Sequence, residues 1–489
     1  MAAPLKAGFF ASLIFLSLSF CSHPIHASTL TKNNAKDTEF SPVLGQAIFE
    51  KLWVSSPSST LASDGLGPLF NARSCLSCHL QQSGGRRPEH GESTADTTAF
   101  LLRLGLTHPT DTPEQFKPNS MSVLPDSTYG HQLQTKSVHA ITVEPSFIIQ
   151  YSNKALALDD GTVVTLQAPH FYVESTHDTA THSQKTKDTE QEPLPQGRSI
   201  RNKTIENSQY FDSNTRFSAR LAPHLTGMGL IDALPESAIL ANADPDDANN
   251  DGISGKANIV WDRSSDTWQV GRFGYKATQP TLDQQNQSAF NGDIGLSTPL
   301  FSASSGDCTT RQERCLHAPN GNSAHLDNLE INQQQLNWVN IYLGTLPVAR
   351  INNIKSPQFK RGRQQFIDLN CLSCHVPKFT TTQSRLSATL ENRVIFPFSD
   401  FLLHDMGDAL ASEFNEYNAT PNEWRTAPLW GISERLKQNP NGGFLHDGRA
   451  RNVNEAILWH GGEAAASQAA YRMLNTNSRR DLLYFLESL

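Results

Sequence analysis

Two pentapeptides in this chain repeat a pattern with a specific chemistry. The first is Cys75-Leu76-Ser77-Cys78-His79 and the second is Cys371-Leu372-Ser373-Cys374-His375. Cys-x-x-Cys-His is the attachment signature of a c-type haem. Two thiols form thioethers with the porphyrin edge, and the histidine that follows ligates the iron. Two intervening residues let one helical turn present both sulfurs and the imidazole together. A redox Cys-x-x-Cys or half of a zinc site needs no histidine directly after the second cysteine, still less twice. The pattern predicts two covalently attached haem c groups, one on Cys75, Cys78 and His79, the other on Cys371, Cys374 and His375.

Other residues could serve these groups. A methionine sulfur opposite the histidine raises the haem potential and suits electron transfer. Met406, in LLHDMGD, has the turn-forming neighbours to hold its sulfur over the iron of the His375 haem. His404 and His446 are the rival donors. Met228, between Gly227 and Gly229, reads as packing. Cys308 and Cys315 belong to no metal signature, and an oxidising compartment would close them into a disulfide. Asp247-x-Asn249-x-Asp251-Gly252 matches the first half of a calcium loop, with the carbonyl of Ile253 as the next ligand. The twelfth position is Asn258 and not glutamate, so an acidic turn without metal is the other reading.

The elements that must carry these residues leave their own signals. Gly45-x-x-x-Phe49-x-x-Leu52 precedes the first pentapeptide and Gly362-x-x-x-Phe366-x-x-Leu369 the second. In a helix, residues three apart share a face, which predicts a helix packed over each haem. Residues 146–173 hold β-rich runs around Asp159-Asp160-Gly161, a hairpin signal. Residues 326–347 read as a helix ended by Gly344 and Pro347. Residues 175–197, with His177 and His182, are almost free of apolar side chains and read as a solvated insertion.

Composition narrows the class. The 489 residues carry 40 Lys plus Arg against 48 Asp plus Glu, a net charge of −8. That acidity argues against a nucleic-acid partner. Lys6 followed by the apolar run AGFFASLIFLSLSF and Ile25-His26-Ala27 has the form of an export signal cut after Ala27. Phe20 speaks against lipidation at Cys21. Beyond residue 30 no apolar run is long enough to span a bilayer. A periplasmic location follows as the expectation.

Taken in order, several stretches resemble the bacterial di-haem oxidoreductase family of thiol oxidoreductases and peroxidases, which is related to di-haem cytochrome c peroxidases. They are Asn71–His79, Tyr129–Gln134, Leu221–Glu236, Asp251–Gly255, Arg272–Ala277, Phe398–Gly407 and Phe444–Glu463. The resemblance implies a mainly α protein: two cytochrome-c-like haem domains with a partly β, loop-rich middle insertion. The expected division is 1–27 export signal, 40–235 N-terminal haem domain, 236–350 connecting region with the calcium loop, and 351–489 C-terminal haem domain. It implies calcium near the domain junction. It also implies a peroxidase that takes electrons from a small redox protein or other donor through the C-terminal haem. The related peroxidases carry a glutamine and a glutamate ten residues apart after the first haem motif. Gln134 and Glu144 have that spacing, with Glu144 as acid/base and Gln134 as its amide partner. The tryptophan those peroxidases hold between the haems has no counterpart in residues 119–131; Tyr129, Trp424 and Trp430 are the alternatives. Two other functions stay open: oxidation of a protein or organic substrate, and plain electron carriage. The thiol oxidoreductase reading is the weakest, because the paired cysteines are committed to haem or to the Cys308/Cys315 loop.

Overall fold

The computed structural model describes residues 35–106, 122–174 and 210–489. The expected export signal, Cys21, Met121 and the polar stretch with His177 and His182 lie outside these residues.

The chain is not mainly α. Helices account for 28% of it and strands for 20%. Nor does the structure give evidence of a mainly helical cytochrome-c-like fold. Among the described residues the strands form seven small sheets, six of two strands and one of three. Many helices are single turns, such as Met228–Asp232 and Glu236–Leu240.

The strongest β signals in the sequence do form strands. Ser146–Ala157 pairs antiparallel with Val163–Glu174, with Ser146 opposite Glu174 and Ala157 opposite Val163. Gly161 closes the turn at φ +83°. Phe100–Leu106 pairs with Thr215–Leu221 along its whole length. Phe147, Phe211 and Phe217 pack between these two sheets. The helix expected over 326–347 is shorter, Gln333–Gly344. Asn332 caps it by accepting from the Gln335 N–H, while the Gln335 side chain accepts from the Asn332 N–H.

Both helices of the glycine repeat are present, at Ala35–Glu50 and Pro357–Asp368. The two glycines do the same work. A Cβ on Gly45 would lie 2.0 Å from the Trp338 carbonyl, and one on Gly362 1.9 Å from the Asp481 carbonyl. Each glycine lets its helix touch a second one, Gln333–Gly344 in the first case and Thr476–Leu486 in the second. The two phenylalanines then stand near the pentapeptide histidines. Ring centroids are 6.4 Å apart for Phe49 and His79 and 6.1 Å for Phe366 and His375. The leucines differ: Leu369 is buried, whereas Leu52 lies beyond the helix end and is exposed.

Among the described residues no helix is long and apolar enough to cross a membrane.

Candidate haem sites

Each pentapeptide is one tight turn. Cys75–Cys78 is a single helical turn capped by Ser74, whose hydroxyl accepts from the Ser77 N–H. The His79 N–H then donates to the Cys75 carbonyl at 3.0 Å. Cys371–Ser373 is a 3-10 turn, and the His375 N–H donates to the Cys371 carbonyl at the same 3.0 Å. Both turns therefore present two sulfurs and one imidazole together.

A separate strap fixes each imidazole. His79 Nδ1 lies 2.8 Å from the Pro223 carbonyl and His375 Nδ1 lies 2.8 Å from the Phe398 carbonyl. Donation from Nδ1 leaves the Nε2 lone pair for a metal and orients the ring. The second strap also hydrogen-bonds back to its turn, through Ser399 N–H to Val376 and Asp400 N–H to Cys374. Phe398 sits at φ +52°. A bulky residue rarely adopts that left-handed geometry. Burial holds both imidazoles well down, at about 4, against the pull of the carbonyls. They are thus neutral, the form that binds iron. All four motif cysteines are unpaired. Burial pushes the Cys75 and Cys371 thiols up to about 12 and raises Cys78 as well. Redox Cys-x-x-Cys sites have the opposite shift. This donor set fits a haem at each turn.

The candidate second ligands differ in what they have free. His404 has neither ring nitrogen to spare. Its Nε2 is 2.8 Å from Asp400 and its Nδ1 2.6 Å from Glu463. Burial works against its charge, yet the contacts with Asp400, Cys374 and Glu463 push its pKa up to about 12. His446 lies flat on Trp424, with centroids 3.7 Å apart and planes at 8°. Met406 is half-buried against the core that also receives Cys371 and Leu372. Its backbone N–H donates to the Asn422 carbonyl at 3.0 Å. Met228 packs against a different core, with Cys75 and Leu76. Of the three residues considered as a bridge, Tyr129 packs at a tilt against Phe211, Trp430 belongs to the core near Met228, and Trp424 belongs to the core near Met406.

Glu144 is buried and is linked by hydrogen bonds through Gln134 and Asn71 to the segment that leads into the first site. The strand Lys136–Ser137 pairs with Leu69–Phe70, just ahead of Cys75. Asn71 donates to the Gln134 side chain at 2.8 Å. Glu144 Oε2 accepts from the Gln134 backbone N–H at 2.6 Å. The Gln134 side chain turns elsewhere, donating to the Gly292 carbonyl at 2.8 Å. The side-chain amide on Glu144 is that of Gln312, whose Nε2 donates to Oε1 at 2.6 Å. Burial raises the Glu144 pKa to about 8, against these two hydrogen bonds, with Asp307 and Asp126 adding to the rise.

Gln312 lies in the loop closed by the Cys308–Cys315 disulfide. Its Oε1 accepts from the Thr309 N–H at 3.0 Å, which leaves Nε2 as the atom facing Glu144. Thr309 Oγ1 donates to the Thr128 carbonyl at 2.7 Å, and Asp307 receives His131 Nδ1 at 2.8 Å. The loop is thereby pinned on the N-terminal side of Gln312. Sequence spacing could not reveal Gln312, which is far from Glu144 in the chain. The paired cysteines around it were the available signal.

At the calcium-like loop, Asp247 and Asn249 accept from the Asp251 N–H, and Asp251 accepts from the Ile253 N–H. No group of three or more His, Cys, Asp or Glu side chains is arranged to hold a metal ion among the described residues. The loop leads straight to the second haem site. Ser254 donates to Glu463 at 2.9 Å, and Lys256 exchanges backbone hydrogen bonds with Leu403.

A family model described as "Di-haem oxidoreductase, putative peroxidase" matches residues 18–489, nearly the whole chain. The chain belongs to the di-haem oxidoreductase family, whose name implies two haems. No curated protein and no solved structure matches it.

Proposed function

We propose that this protein is a periplasmic peroxidase with two covalently attached haem c groups. The overall reaction is H2O2 + 2 e− + 2 H+ → 2 H2O. The thioether bonds form at Cys75 and Cys78 and at Cys371 and Cys374. Bound haem supplies an electron store at each site and, where a coordination position is open, a place for peroxide. A small redox protein or other donor delivers electrons at the His375 site. Export rests on the signal-like residues 1–27. Calcium held by Asp247, Asn249, Asp251 and the Ile253 carbonyl is an accessory proposal, to be tested by chelation.

The observation that carries the reading is Glu144. A buried carboxyl with a pKa of about 8 holds and releases a proton near neutral pH. Peroxide reduction needs a group that takes a proton from one oxygen and returns it to the other. Gln134 N–H and Gln312 Nε2 fix the two carboxylate oxygens in place. The His79 site, whose entering strand is hydrogen-bonded to this segment, is then the reactive one.

The test is peroxide turnover by the holoprotein with a reduced small cytochrome. Glu144→Gln should lower it by at least about a hundredfold, the usual contribution of a general acid/base. Both haems should stay bound. Undiminished turnover in that variant would remove Glu144 from the reaction. No turnover in the unaltered protein, with both irons six-coordinate, would leave an electron carrier.

A further inference from the structure

Three histidines share one arrangement. In His79, His375 and His460 the Nδ1 atom lies 2.8 Å from a backbone carbonyl, that of Pro223, Phe398 and Ala456 respectively. Among the described residues none of the three Nε2 atoms makes a hydrogen bond, and none is sealed in as His131 Nε2 is. All three residues are of intermediate exposure. The first two belong to the pentapeptides. The third belongs to no signature, and the reaction as described gives it no task.

Its position is specific. His460 follows the helix Val453–Leu458, which Asn452 caps. Its own N–H donates to the Ile457 carbonyl at 3.1 Å, so the ring is carried on the last turn. Trp459, beside it, is buried in the core that also receives Cys371, Leu372 and Met406. The next two residues are glycines, and both press on the turn that holds Met406. A Cβ on Gly461 would lie 2.9 Å from the Met406 carbonyl, and one on Gly462 2.2 Å from the Asp405 carbonyl. Glu463 continues the contact, accepting from the Asp405 N–H and pairing with His404. His460 also acts electrostatically on the His375 ring, as do Asp400 and His404. The two turns form one junction beside the second pentapeptide.

We propose that His460 is the second axial ligand of the haem bound at His375. The inference rests on the two-haem reading above. An imidazole whose Nδ1 is held by a carbonyl presents Nε2 in a fixed direction. The Met406 thioether hangs on three rotatable bonds, and no hydrogen bond orients its sulfur. His404 cannot compete, because both its nitrogens face carboxylates. Ligation by two histidines gives a lower potential than a histidine and a methionine.

The experiment uses the holoprotein, with peptide mass first establishing haem on Cys371 and Cys374. Absence of that mass in the unaltered protein would overturn the two-haem reading itself. With haem attached, electron paramagnetic resonance should show one low-spin ferric signal lost in His460→Ala and restored by added imidazole. Met406→Ala should keep that signal. His460→Met, which refills the position with a thioether, should raise the potential of one haem only. A low-spin signal that survives His460→Ala and disappears in Met406→Ala would overturn the ligand assignment while leaving both haems in place.

Discussion

Glu144 shows how two neutral donors can tune one acid. Its oxygens receive one hydrogen bond each, from Gln134 N–H and Gln312 Nε2, and no ion pair neutralises it among the described residues. The charged and titratable groups around it are Asp126, Asp307 with its His131 partner, and the Tyr129 hydroxyl. Both aspartates oppose its ionisation. Removing the Gln312 bond therefore has one direction. Gln312→Leu should move the Glu144 titration, read by carboxyl infrared absorption, up from about 8 by roughly one pH unit or more. The alkaline rise of the turnover profile should move with it. A carboxyl band that titrates unchanged would mean that Gln312 is a bystander. The pentapeptide turns were legible because their pattern is local: five consecutive residues make each turn. The carbonyls of Pro223 and Phe398 and the amide of Gln312 were not, because backbone acceptors and distant partners leave no mark in spacing.

At the scale of elements, the repeated glycine is the most informative feature. The Gly-x-x-x-Phe pattern was legible as two helices, and the structure adds why glycine is needed. Helix Pro357–Asp368 touches the Asp481 carbonyl through Gly362, and Phe359 and Phe366 close on Phe485 with centroids 5.1 and 5.4 Å away. Gly362→Ala gains about 1 kcal/mol in helix propensity. It also forces a methyl into 1.9 Å of a carbonyl. Overpacking of that kind costs about 1–3 kcal/mol, so the sum should be destabilising. Denaturant unfolding of the holoprotein should show a lower midpoint, and a raised midpoint would mean that the helices separate freely. The β content was less legible. The hairpin around Gly161 announced itself through alternation and a turn signal. The short pairs did not: Leu403–Asp405 with Glu423–Arg425 is held by three residue pairs, too few to leave a period.

Over the whole molecule, buried titratable groups couple stability to pH, and Glu144 again gives the cleanest case. Its ordinary value is 4.5 and its folded value about 8. Between those limits the native state holds a proton that the unfolded chain has released. Stability contributed by this group is therefore present below about 4.5 and lost as pH rises toward about 8. Buried histidines act the other way. His224, lowered by burial to about 3, and His446, held by burial well below its ordinary value, stay neutral in the native state while the unfolded chain gains protons below 6.5. A raw profile mixes the two. The difference between the unaltered protein and Glu144→Gln isolates the carboxyl, since the histidines are common to both. That difference should change with pH by up to about 1.4 kcal/mol per unit, the limit for one proton. It should favour the glutamine variant increasingly from about 4.5 upward and level off above about 8. A flat difference would mean that Glu144 is already ionised in the folded protein. The carboxylate would then be ready to take the peroxide proton over the whole range, and turnover would show no rise near pH 8.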